Sequence, residues 1–163
     1  RASHRDQYIY KIKAAVEARG DRDVFIVART DAEQVCGRDE AIARVEEARA
    51  EGADASFVEA PGSREQLEEL GRRAPAPTVA NMIEGGKTPV LRGDEMIKLG
   101  FHLILYPLAG LFSAAHALRS VYQTLRKRGT TLGGDHHYLS FDEFNDLIGV
   151  EDKYQVSEKY GEG

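Results

Sequence analysis

The sequence predicts an α/β chain with about four strand–helix units on a parallel sheet. Three observations carry this. Short apolar runs rich in β-branched residues alternate with longer stretches of helical periodicity. The alternation recurs roughly every 25 residues, as in βαβ units. Glycines and capping residues fall between the segments. Four units make half of an eight-unit barrel, whose usual size is about 250 residues. The alternative is a small doubly wound sheet. No glycine fingerprint of the dinucleotide-binding kind follows any strand.

Each element has its own signal. Ser3 to Arg19 reads as a helix, with Ile9, Ile12 and Val16 at i, i+3 and i+7 and Gly20 as its stop. DVFIVA (Asp23–Ala28) predicts a strand buried on both faces. Arg38 to Glu51 is the next helix. Ile42, Val45 and Ala48 lie inward, Glu40 and Arg44 form a solvent-side i,i+4 pair, and Gly52 ends it. ASFVEA (Ala55–Ala60) is a strand. Ser63 opens a helix with Gln66 three residues on, a capping box. PTVAN (Pro77–Asn81) is a strand, followed by the loop EGGKTP and a short helix near Asp94 to Leu99. FHLILYP (Phe101–Pro107) is the fourth strand. A long helix from about Leu111 to Arg128 turns Leu111, Ala115, Leu118, Tyr122 and Leu125 inward and stops at Gly129. SFDEFNDLIG (Ser140–Gly149) is a last helix, boxed by Ser140 and Glu143.

Composition narrows the functional classes. With 163 residues, 42% hydrophobic and 30% charged, the chain can bury one core. A net charge of -5 and the lack of a basic stripe argue against nucleic acid. No apolar stretch nears the roughly 18 residues of a membrane span, and no signal peptide opens the chain. The single cysteine, Cys36, leaves no internal disulfide and fits a reducing, cytoplasmic setting. The chain opens on Arg1 and its only methionines are Met82 and Met96, so a piece of a longer protein is expected.

In a parallel sheet all strand C-termini share one face, and in barrels that face carries the chemistry. The first strand ends in Arg29, Thr30 and Asp31, and the second in Glu59. The third ends in Asn81 with Glu84 just beyond, and the fourth in Tyr106. Arg29 is a planar fork suited to a carboxylate or phosphate, and Asn81 offers donors to the same ligand. The set predicts a pocket for a small anionic substrate. The structural alternative is that Arg29 simply pairs with Asp31 or Glu59.

VARTDA (Val27–Ala32), GADASFVEAP (Gly52–Pro61), VANMIEGGKTP (Val79–Pro89) and LGFHLILYPL (Leu99–Leu108) resemble the isocitrate lyase / phosphoenolpyruvate mutase superfamily in order and spacing. Within it the chain is most similar to the 2-methylisocitrate lyase and carboxyvinyl-carboxyphosphonate phosphorylmutase group, tail included. The resemblance implies the C-terminal half of a TIM-like (β/α)8 barrel plus extra C-terminal helices. Residues 1–129 would form the barrel half and 130–163 a helical extension of the same domain. It implies a Mg²⁺-dependent carbon–carbon lyase, cleaving a small 2-hydroxy-tricarboxylate such as (2-methyl)isocitrate to an α-oxo acid and succinate. An oxaloacetate decarboxylase or a phosphonate-forming mutase is the alternative within the family, and a non-catalytic truncated fragment the alternative outside it. By motif position, Arg29 would bind substrate carboxylate, Glu59 would shape the polar floor, Asn81 would hydrogen-bond a carboxylate, and Thr88 would sit at the rim. The family's Mg²⁺-binding aspartates and its Cys-Gly-His loop have no counterpart in this sequence, so the isolated chain is expected to be inactive.

Other tempting residues read as structural. Cys36 lies outside the family's cysteine loop. His136 and His137 sit in a polar loop with too few companions for zinc. His102 is expected within the fourth strand, and His116 on the long helix. Phe112, Leu118, Tyr122, Phe141, Phe144 and Ile148 exceed what a barrel cover needs, and the resemblance implies a homo-oligomer with swapped C-terminal helices.

Overall fold

The computed structural model describes residues 3–161. In chain order the elements are α1 (Arg5–Arg19), β1 (Val27–Thr30), α2 (Glu33–Cys36), α3 (Arg38–Ala50), β2 (Ala55–Val58), α4 (Arg64–Arg73), β3 (Thr78–Asn81), α5 (Gly93–Lys98), β4 (Leu103–Leu105), α6 (Ala109–Arg128), α7 (Phe141–Leu147) and α8 (Val150–Tyr160). The chain divides into two compact units, one up to Phe112 and one from Ser113 onward. All four strands belong to the first. No helix among the described residues is long and apolar enough to cross a membrane.

The four strands run parallel in the order β1-β2-β3-β4. A doubly wound sheet reverses its strand order at a switch point. Here each helix returns the chain to the next strand on the same side, as in one arc of a (β/α)8 barrel.

The period of two along each strand separates two faces. Val58 and Ala80 pack into the main core with Ile42, Val45, Leu67, Leu70 and Met96 from the helices. Ala28 joins a second cluster with Tyr8, Ile9, Ile12 and Ala48. The opposite face holds a smaller cluster of Ala55, Phe57 and Val79. Helix α4 meets the turn before β4 backbone to backbone. A Cβ on Gly71 would overlap the Leu99 carbonyl. Gly100 has φ 96°, and its own Cβ would lie 2.6 Å from the Gly71 oxygen.

Several expectations need correction. The first strand begins at Val27, not Asp23, and is not buried on both faces. Its ladder with β2 starts at Ala55, so residues before Val27 have no partner strand. The Asp54 carboxylate accepts the Ile26 N–H at 2.7 Å and stops the pairing there. Val24 and Phe25 are consequently exposed. Glu40 and Arg44 do pair, at 2.8 Å, but Arg44 is only 5% exposed and is not on the solvent side. The Ser63 hydroxyl accepts the Gln66 N–H as expected, but Gln66 Oε1 accepts from Gly62 at 2.5 Å, so the box is half formed. The Ser140–Glu143 box is complete. The fourth strand is shorter than expected, and His102 precedes it, its Nδ1 accepting the Thr78 N–H at 3.3 Å. The short helices α2 and α8 have no counterpart in the sequence reading. The face of α6 expected to turn inward carries no buried residue.

Candidate carboxylate-binding site

The strand register decides which side chains meet. Arg29 aligns with Phe57, and Phe57 with Val79. Two residues further along their strands, Glu59 and Asn81 fall on that same face at its C-terminal end. The side chains close the arrangement. Asn81 Nδ2 donates to Glu59 Oε2 at 3.0 Å. The Arg29 guanidinium lies 3.4 Å from that same oxygen and donates to Asp31 Oδ1 at 2.9 Å. Its Cζ stands 5.1 Å from the centroid of the Phe57 ring, a cation–π contact.

Glu59 is thus the hub, shared by a cation and an amide, with a side chain only 15% exposed. Arg29 is about half exposed and keeps N–H groups beyond those used. The hydrogen bond to Asp31, helped by the charge of Glu59, holds the Arg29 pKa above its ordinary value despite partial burial. Three contacts fix the guanidinium before any ligand arrives: Asp31, Glu59 and the Phe57 face. A planar, pre-oriented fork beside an amide donor suits a carboxylate.

The remaining strand-end residues lie elsewhere. Thr88 is 8% exposed in the loop after β3, with no hydrogen bond to Arg29, Glu59 or Asn81 among the described residues. Thr30 turns to the helix side, and its hydroxyl accepts the Ala32 N–H at 3.2 Å. Tyr106 donates to the Leu91 carbonyl at 3.2 Å, and Glu84 is exposed. Cys36 is exposed at the end of α2. His136 bonds Tyr138 and Thr131 within its own loop.

Sequence reasoning missed three features. Phe57 reads as plain core, yet it supports Arg29. Gln34 on α2 donates to the Ala60 carbonyl at 2.8 Å and accepts from Lys87, tying the three strand-end loops together. Ala60, between Glu59 and Pro61, holds φ 59°, a region few non-glycine residues adopt. Such outliers cluster at functional sites, and this one directly follows the hub carboxylate.

Among the described residues no three His, Cys, Asp or Glu side chains converge to hold a metal ion. Glu59 and Asp31 are both engaged by Arg29. The donors here therefore do not fit a Mg²⁺ site by themselves.

The model of the phosphoenolpyruvate phosphomutase family matches residues 2–126. The chain belongs to that family. It is 41% identical over 158 residues to the chloroplastic carboxyvinyl-carboxyphosphonate phosphorylmutase of Arabidopsis thaliana, covering 95% of this chain and 47% of that protein. It is 38% identical over 149 residues to the 2-methylisocitrate lyase of Bacillus subtilis (strain 168), covering 91% and 48%. Among solved structures, a 2,3-dimethylmalate lyase of the PEP mutase/isocitrate lyase superfamily matches with TM-score 0.84 and 32% identity, covering 96% of this chain and 56% of that one. Oxaloacetate acetylhydrolase in complex with the product oxalate matches with TM-score 0.86 and 31% identity, covering 98% and 56%. The chain spans about half the length of the curated relatives it matches.

Proposed function

We propose that this chain supplies the carboxylate anchor of a carbon–carbon lyase acting on a small 2-hydroxy-carboxylate, methylisocitrate-like. One observation carries the reading: Arg29, Glu59 and Asn81 converge on one oxygen at the C-terminal end of the sheet. The names of the relatives, among them 2-methylisocitrate lyase and 2,3-dimethylmalate lyase, support this substrate class.

In this reading Arg29 grips a substrate carboxylate with its remaining N–H groups. Asn81 spends one amide N–H on Glu59 and gives the other to the same carboxylate. Glu59 positions both and leaves the chemistry to others. In the cleavage the substrate's 2-hydroxyl gives its proton to a base from outside these residues and becomes the new carbonyl. The electron pair of the breaking carbon–carbon bond passes to the departing carbon, conjugated with a carboxylate, where a fixed cation stabilises the growing charge. Ligands for the family's Mg²⁺ and the general acid would come from outside these 163 residues, so the isolated chain binds and does not turn over. The single cysteine suits a reducing compartment such as the cytoplasm. The exposed apolar residues Phe112, Leu118, Tyr122, Phe141, Phe144 and Ile148 favour a homo-oligomer through swapped C-terminal helices.

Oxalate is the probe that tests the anchor. Calorimetric titration of the 163-residue chain should give saturable binding that Arg29→Gln abolishes. Asn81→Ala should weaken it about tenfold, the worth of one hydrogen bond to a charged group. Equal affinity in all three proteins would remove the reading.

A further inference from the structure

Across the C-terminal end of the sheet, one exposed glutamine bridges the loops that follow three strands. Gln34, on α2 soon after β1, donates from Nε2 to the Ala60 carbonyl at 2.8 Å, and its Oε1 accepts from the Lys87 ammonium. Ala60 directly follows Glu59 after β2, and Lys87 lies beyond Asn81 in the loop after β3. An ammonium only donates and a backbone carbonyl only accepts, so the bridging group must do both. A carboxamide does. A carboxylate or an amine in its place would lose one of the two bonds. The two partners also decide which end of the amide faces which loop.

Ala60 is where the bridge bears on the anchor. Its φ of 59° lies in the left-handed region, which a Cβ disfavours. Pro61 follows, and a residue before proline is ordinarily extended with a negative φ. Such a backbone persists only where its surroundings hold it. Among the described residues the Ala60 carbonyl has one hydrogen-bond donor, Gln34. On the strand side, the Glu59 N–H donates to the Thr30 carbonyl at 3.0 Å. The carboxylate that pairs with Asn81 and Arg29 therefore stands between a ladder bond and a peptide that Gln34 restrains. Gln34 itself rides on a fixed platform. Ala32 is fully buried, and Glu33 pairs at 3.1 Å with Arg38 of α3, which also pairs with Glu69 of α4.

We propose that Gln34 is a positioning residue of the anchor: its carboxamide holds Ala60 in the left-handed conformation and ties the loop after β3 to it, which keeps Glu59 aimed at Asn81 and Arg29. This role presupposes the carboxylate anchor proposed above. Gln34 acts through Glu59 and not on the ligand itself.

The test uses the ¹⁵N-labelled 163-residue chain and Gln34→Met, which keeps the side chain's length and removes both polar ends. Gln34 is exposed, so the core is untouched. Without ligand, the Asn81 side-chain amide signals, assigned by their absence in Asn81→Ala, report the bond to Glu59. Gln34→Met should move them toward the position of a free carboxamide. Oxalate affinity by calorimetry should fall about tenfold in the same variant. Ala60→Gly removes the Cβ penalty of the left-handed backbone, so that chain should bind oxalate like the parent. In it, Gln34→Met should cost about threefold or less, whereas a role in packing alone would give the same loss in both backgrounds. Unmoved Asn81 signals would overturn the proposal. So would undiminished oxalate affinity in Gln34→Met, or an equal loss in the Ala60→Gly chain. A parent chain that binds no oxalate would remove the anchor reading instead, and the ligand-free Asn81 signals would still decide whether Gln34 holds the Glu59–Asn81 pair.

Discussion

Replacing Gly71 with alanine sets two physical effects against each other. Gly71 lies inside α4, and a helix-interior glycine changed to alanine ordinarily gains about 1 kcal/mol. The packing opposes that gain. The new methyl would overlap the carbonyl oxygen of Leu99, which closes α5. It meets backbone, not the flexible end of a side chain, so relief requires α4 and the turn at residues 99–100 to separate. Gly100, the next residue of the same turn, also lies close to the Gly71 carbonyl, so the two backbones meet at both residues. Overpacking that moves backbone costs about 1–3 kcal/mol, and this geometry argues for the upper end. The net expectation is a loss of about 2 kcal/mol. With a urea m-value of about 2 kcal/mol/M, the midpoint should fall by about 1 M. Far-UV circular dichroism of the two proteins in urea gives that number. Gly110→Ala is the control: no heavy atom lies within 4 Å of its Cβ position in α6, so propensity alone should act and stability should hold or rise. A Gly71→Ala protein as stable as the parent would refute the close approach of α4 to the β4 turn.

Two further predictions concern groups away from the anchor. Hydrogen bonds from Arg5 and then Arg44 pull the Glu40 carboxyl down to a pKa of about 2, from a usual 4.5. A depressed folded-state pKa stabilises above the unfolded value and loses that contribution as pH falls toward 2. Discounted for solvent screening, the effect is about 1 kcal/mol. Glu40→Gln should therefore be less stable than the parent near neutrality and converge with it in acid. A stability gap unchanged between pH 6 and pH 3 would contradict the ion pairs. Ser56, 1% exposed on β2, buries a hydroxyl with no partner among the described residues. Ser56→Ala should be neutral or stabilising by up to about 1 kcal/mol in the same urea assay, and a clear loss would reveal an acceptor.

Hydrophobic patterning made the order and type of the main elements legible, most clearly where β1 to β3 and helices α1, α3 and α4 bury residues in the core. Boundaries were less legible because they depend on neighbours. Nothing in DVFIVA says that pairing starts at Val27; that follows from β2 opening at Ala55 and from Asp54 capping Ile26. Arg44 was misread for a similar reason. The i,i+4 spacing to Glu40 is the same on either side of a helix, and only the Tyr8 ring beneath it makes the position interior. Helix α2, four residues long, offers too few turns for a periodic signal. Helix α8 buries no residue, so its sequence carries no core-facing stripe to read.

The anchor itself divides along the same line. Polar residues at strand ends mark Arg29, Glu59 and Asn81 as candidates, but sequence cannot give the register that brings them together. That register is a strict constraint, since a slip of one residue exchanges the two faces of a strand. Slipping β2 by one would turn Val58 toward Arg29 and send Glu59 to the helix side, burying a carboxylate without either partner. The observed pairing of Arg29 with Phe57 instead puts an aromatic face under the guanidinium and a carboxylate beyond it. The helix-side core of Val58, Ala80, Leu67 and Leu70 enforces this pairing, because only one parity buries those apolar residues. The packing that stabilises the sheet is therefore also what aims the anchor, and a core change that shifted β2 would be felt first at Arg29.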